Sequence, residues 1–307
     1  MGEVLTVARQ VAVLFALMGV GAACRKARLL DDVAVKGFVD VLILVVTPCL
    51  IVTCFDRPFD PSMLLGLGVA FGVALAAHFA TMLLARLAVR HPAEDTRCVL
   101  KVAAVFSNAG FMGIPLEQAI LGDEGVFYGI VYVVVFNLLM WSWGLAVMKG
   151  RASLNRMVFV NPGTVGIVMG LTVFLLPWRL PDVVREPVSM LAALNTPVAM
   201  LVIGYYLAGA RLGKVLRTPA AHVAALLRLV VVPLLVLAAL YPLRGALDRT
   251  MMLAAVIPAA APVGAMVTMF ASKYRRDVDM SVGMVSGTTL LSIVTMPPVI
   301  ALAMTLL

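Results

Sequence analysis

Between Ser107 and Gly122 the chain reads Ser-Asn-Ala-Gly-Phe-Met-Gly-Ile-Pro-Leu-Glu-Gln-Ala-Ile-Leu-Gly. An amide (Asn108), a carboxylic acid (Glu117), a proline (Pro115) and the glycines Gly110, Gly113 and Gly122 sit in otherwise apolar surroundings. An amide can donate to a carboxylate, and a lone acid can carry a proton or hold a cation. In hydrocarbon every backbone group must be paired, so a helix with such breakers survives only inside protein or beside a wet cavity. Its half-helix ends then present dipoles and free N–H and C=O groups to ions and anions. A second stretch, Ile257 to Gly264, places Pro258 and Pro262 four apart among small residues. If Pro115 and Pro262 each open a second half-helix, the missing N–H costs nothing at that first position. The neighbouring N–H groups would face the break and suit a carboxylate.

Other polar groups lie in apolar runs, where they are expensive and default to functional candidates. Asn137, with Tyr128 and Tyr132, is expected to line the same cavity. Thr47-Pro48 and Asn195-Thr196-Pro197 sit mid-span, where proline kinks a helix; Thr47, Asn195 and Thr196 then offer polar contacts to the broken helices. Glu117 is the candidate for coupling to a proton or cation, while Asp40 and His78 read more simply as structural pairs. Arg9 and Arg228 are expected to snorkel from span ends.

These groups need elements to hold them. With 63% hydrophobic and 13% charged residues among 307 and a mean hydropathy of +1.05, a soluble domain is excluded. Segmentation at charge clusters gives ten spans of roughly 20 residues, near 4–23, 33–54, 62–85, 98–121, 125–148, 163–177, 187–209, 219–242, 250–271 and 280–306. Sixteen Lys or Arg lie in the odd-numbered connections and five in the even. The positive-inside rule therefore puts the odd connections in the cytoplasm and both termini outside, in a multi-pass cell (inner) membrane protein. The net charge of +8 thus reads as topology and not as a nucleic-acid surface. Glu3 and the length of the first apolar run argue against a signal peptide. Cys24, Cys49, Cys54 and Cys98 form no Cys-x-x-Cys pair, so neither metal nor disulfide is expected. No hydrolase, metalloprotease or P-loop signature is present, and no cofactor or catalytic residue is expected.

The two halves echo each other. Thr47-Pro48 recurs as Thr196-Pro197, and Ala103-Ala104-Val105 before Gly113 recurs as Ala254-Ala255-Val256 before Gly264. An all-α membrane fold follows, with two five-span repeats, 1–150 and 151–307. Because five is odd, the second is inverted, with crossing broken helices four and nine.

Asn108, Gly113-Ile114-Pro115-Leu116 and Gly122 resemble the fourth-span motif of the auxin efflux carrier family, which includes plant auxin exporters and bacterial permeases for malate and malonate. Asn161-Pro162-Gly163, Met269-Phe270-Ala271-Ser272-Lys273-Tyr274 and the run from Gly287 to Pro297 are similar to that family's spans six, nine and ten. The resemblance implies a scaffold of spans one, two, six and seven that forms a homodimer. Spans three to five and eight to ten would form an elevator-type transport domain, with an organic anion bound at the crossing. Asn108 matches the substrate-contacting asparagine and Pro115 and Pro262 the crossover prolines. Glu117-Gln118 departs from the apolar residues usual there. The expectation is a secondary transporter of a small dicarboxylate such as malate or malonate. The alternatives are a sodium-coupled carrier of bile-acid-symporter-like architecture and a non-transporting membrane sensor.

Overall fold

A computed structural model describes residues 2–150, 162–176, 179–210 and 212–307. Asn161, Arg151, Arg156 and Arg211, which enter the motif and charge readings above, lie outside the described residues. The described residues form helices joined by turns and loops, with no named strand among them. The elements are α1 (Gly2–Lys26), α2 (Asp32–Phe55), α3 (Pro61–Ala88), α4 (Glu94–Val105), α5 (Ala109–Lys149), α6 (Pro162–Leu175), α7 (Asp182–Ala208), α8 (Gly213–Leu216), α9 (Pro219–Leu243), α10 (Arg249–Ala260), α11 (Met266–Lys273) and α12 (Val278–Leu306). Among the described residues seven helices are long and apolar enough to cross a membrane, from the 19 residues Ala8–Lys26 of α1 to the 41 of α5. Gly122, at φ 68° and ψ −158°, divides α5 into arms 109–121 and 123–149. Only glycine adopts that backbone region readily.

Proline sets much of the local geometry. The π-turns at Leu42–Val46, Ala109–Gly113 and Leu227–Val231 each end two residues before a proline, namely Pro48, Pro115 and Pro233. A proline ring lacks an N–H and collides with the carbonyl four residues back. One wide turn at that place relieves the collision while the helix continues. Span two therefore carries a π-turn before Thr47-Pro48, and α7 instead passes through a turn at 193–194 immediately before Asn195.

Without a hydrophobic drive between helices in lipid, close packing relies on small residues. Along the α1–α7 contact, a Cβ on Gly21 would stand 2.1 Å from the Leu201 carbonyl oxygen, and one on Gly204 would stand 1.9 Å from that of Met18. The backbones touch there. A second contact sets α2 on α6, where Phe55, Phe127 and Phe174 interlock with ring centroids 4.5–6.2 Å apart. α10 and α3 both pack on α5, which places α5 centrally.

The connections gather at two places. At one, Arg276 pairs with Asp95 at 2.5 Å and donates to the Met148 carbonyl, while Asp277 takes Lys214 Nζ at 2.6 Å and Thr96 Oγ1 at 2.6 Å. Burial alone would raise the Asp277 carboxyl, but these two donors and the Met280 N–H hold it below its ordinary value. At the other, Asp56 at the end of α2 pairs with Arg185 at 3.0 Å and accepts from Leu180 N–H.

Candidate functional site

α4 and α10 both stop short, and the chain segments that follow them meet. Ser107 and Val263 form an isolated antiparallel bridge. Asn108 N–H donates to the Pro262 carbonyl at 2.6 Å, and Gly264 N–H donates to the Phe106 carbonyl at 3.0 Å. Each break thus satisfies the other's backbone, which hydrocarbon requires. Two glycines permit the approach. A Cβ on Gly264 would lie 2.8 Å from Ser107 O, and one on Gly113 would lie 3.3 Å from Pro258 Cα. Thr288 of α12 holds the second break, accepting from Val263 N–H at 3.0 Å while donating to the Met284 carbonyl.

The two prolines differ. A wide turn at Ala109–Gly113 follows the first break, and Pro115 then stands in the first turn of the α-helical stretch from Ile114, close to the helix-start place expected of it; Pro262 lies in the second break, and α11 begins only at Met266. Pro262 contributes its carbonyl and not a helix start. Asn108 is buried, and its side-chain amide makes no hydrogen bond among the described residues. Its backbone carbonyl accepts from both Met112 and Gly113 N–H at 3.1 Å, opening the wide turn. Gly110 borders open space, with nothing within 4 Å of its would-be Cβ.

Glu117, one turn beyond, is fully buried, and neither carboxyl oxygen has a partner among the described residues. Its head lies over Gly129 of the long arm, where a Cβ would stand 2.0 Å from Oε2; the glycine makes the niche. An ionised carboxylate here would be uncompensated. Gln118 instead ties to Asp123 across the Gly122 bend at 2.8 Å.

α7 touches the 109–113 turn. Midway along it, just after the turn at 193–194, Asn195 is buried and accepts from Thr47 Oγ1 of α2 at 3.5 Å, with its amide nitrogen unpartnered among the described residues. Thr196 is half-buried beside it. Asn137 spends its amide on the Val133 carbonyl of its own helix, at 2.9 Å, and nothing brings it to the crossing. Asp40 is exposed, with no ion pair among the described residues. His78 is buried, bonded through Nδ1 to the Ala74 carbonyl at 2.7 Å, with its ring tilted against Tyr132 at a centroid distance of 4.7 Å. Tyr128 is buried against Gly66. Two clefts lie away from the crossing, one apolar and lined by Pro48, Met169 and Val184 among others, one polar around Asp56 and Arg185. No group of three or more His, Cys, Asp or Glu gathers among the described residues.

Arg228 corrects the sequence reading most. It is not a snorkelling end residue: it is wholly buried in α9. Nη1 donates to the Val105 carbonyl at 2.7 Å and Nη2 to the Ala259 carbonyl, beside the Tyr132 hydroxyl. Val105 ends α4 and Ala259 is the penultimate residue of α10.

Long apolar helices, two of whose neighbours break and pair their backbones at one crossing, mark a multi-pass membrane protein. A family model described as "Membrane transport protein" matches residues 6–158 and 152–300, so nearly the whole chain is covered. The chain belongs to that family, the family of the auxin efflux carriers. Among curated proteins it is 27% identical over 209 residues to an uncharacterized transporter of Methanothermobacter thermautotrophicus, covering 64% of this chain and 65% of that one. It is 28% identical over 137 residues to auxin efflux carrier component 8 of Arabidopsis thaliana, covering 43% and 37% respectively. The matched stretches thus span less than two thirds of either relative.

Proposed function

We propose that the chain is a secondary transporter of a small organic anion, a dicarboxylate such as malate or malonate, bound at the crossing of the two helix breaks. The observation that carries this reading is the paired break itself, with the Asn108 amide free beside Gly110 and open space. The N-terminal ends of α5 and α11 open from the breaks, and such ends suit a carboxylate. A ten-crossing inverted repeat accounts for the two echoing breaks. It is supported by the side-chain contacts, which join Glu94–Thr96, Met148, Lys214 and Arg276–Asp277 at one place and Asp56 with 180–185 at another. On this reading the odd connections are cytoplasmic, both termini are outside, and α1, α2, α6 and α7 form a homodimeric scaffold past which the remaining helices move as an elevator. The close α1–α7 backbone contact supports a stiff scaffold. Glu117 is the proton-coupling group.

The test is uptake of labelled malonate and malate into proteoliposomes under a proton gradient, a sodium gradient and neither. Accumulation that follows the proton gradient supports the reading. No uptake of either acid by folded protein under any gradient refutes the dicarboxylate assignment.

A further inference from the structure

We infer that Arg228 is a built-in cation at the crossing, a positioning residue that does with a side chain what a bound metal ion would do at the ends of α4 and α10. Each of those helices ends with carbonyls that have no partner in the helix and with about half a negative charge from its dipole. Two such ends converge, and one guanidinium answers both: Nη1 takes Val105 O and Nη2 takes Ala259 O. The two acceptors lie 123 and 31 residues from Arg228 in the chain, so the fork clamps two separate helices. No carboxylate pairs with it among the described residues; its polar neighbours are the Tyr132 hydroxyl and the His78 ring. Among the described residues the charge is therefore met by carbonyl dipoles and the Tyr132 hydroxyl, not by an anion. A guanidinium keeps its charge and its planar fork, which suits one group to two acceptors.

Resting on the transport reading above, this assigns charges within the crossing. With the carbonyl ends neutralised by Arg228, the N-terminal ends of α5 and α11 are left as the positive pole for one carboxylate of the anion. The carbonyl ends then need no ion from solution.

The experiment replaces Arg228 and offers cations back. Arg228→Gln in proteoliposomes is expected to lower anion uptake by at least about tenfold, from the loss of two charge-assisted hydrogen bonds. Millimolar guanidinium should restore part of it, with no effect on the unaltered protein. The purified variant should also melt lower and be raised selectively by guanidinium over tetramethylammonium. If Arg228→Gln is not recovered folded, Arg228→Lys serves: it keeps the charge but not the fork, and guanidinium should again raise both its melting temperature and its uptake. The inference is overturned if uptake and melting of the variant match the unaltered protein, or if guanidinium acts equally on both. Uptake absent from the unaltered protein would refute transport alone, since the melting arm reads the clamp without it.

Discussion

Gly264→Ala is predicted to break the crossing without touching any polar side chain. The added Cβ would lie 2.8 Å from the Ser107 carbonyl oxygen and 3.3 Å from its carbon, both backbone atoms that cannot rotate away. Overpacking of this kind costs about 1–3 kcal/mol. Parting the strands also weakens the Gly264 N–H bond to Phe106 O, worth about 1 kcal/mol, for a total of about 2–4 kcal/mol. The control is Gly110→Ala, where nothing lies within 4 Å and the lost unfolded-state entropy favours alanine by about 0.4–1 kcal/mol. Thermal unfolding of both variants in detergent, beside uptake, makes the comparison. Gly264→Ala should melt clearly lower and Gly110→Ala no lower than the unaltered protein, even if its uptake falls. Equal melting of the two variants would refute the claim that the breaks are held by close backbone contact.

Asn108→Ala should weaken anion binding with little change in melting temperature, because the amide makes no bond among the described residues; unchanged affinity removes it from the site. Glu117→Gln is expected to keep the fold but make uptake insensitive to an imposed pH gradient, and retained sensitivity would defeat a coupling role. Gly129→Ala should destabilise by about 1–3 kcal/mol in the presence of Glu117 and by much less in a Glu117→Ala background; additive effects in that double-mutant cycle would mean the two do not share the niche. Asp277 titrates below its ordinary value when folded, so its stabilisation is present above the unfolded value and is lost as pH falls through the folded one. Asp277→Asn should therefore lower the melting temperature at neutral pH and flatten its decline below roughly pH 4; an unchanged acid limb would exclude this carboxylate as its source.

The sequence was legible where local chemistry decides the structure. Asn108, Gly113, Pro262 and Gly264 mark the breaks because amides, glycines and prolines have no place in an ordinary apolar helix. Long charge-poor runs likewise announce membrane helices. What depended on the partner was not legible. Arg228 stands nine residues after Pro219, where a basic residue reads as an end group; its burial follows from carbonyls freed by breaks far off in the chain. The burial of Glu117 was not legible, because nothing nearby in sequence announces the niche at Gly129. The prolines were read from helix-start preferences, yet a π-turn before Pro115 and a carbonyl role for Pro262 came from the pairing of the breaks. Thr288 carried no signal beyond its place in a polar run of the last helix.

The pairing of the two breaks also bears on how the chain is made. Asn108 N–H and Phe106 O are among the early residues to enter the bilayer, but their partners, Pro262 O and Gly264 N–H, are synthesised some 155 residues later. Until then the nascent chain holds a donor and an acceptor that hydrocarbon cannot satisfy. The first half is thus an incomplete solute in lipid, dependent on water, a chaperone or the insertion machinery to shelter it. Ribosomes that stop before residue 262 leave a fragment with that defect permanently exposed, a mark by which membrane quality control can distinguish it from the finished protein.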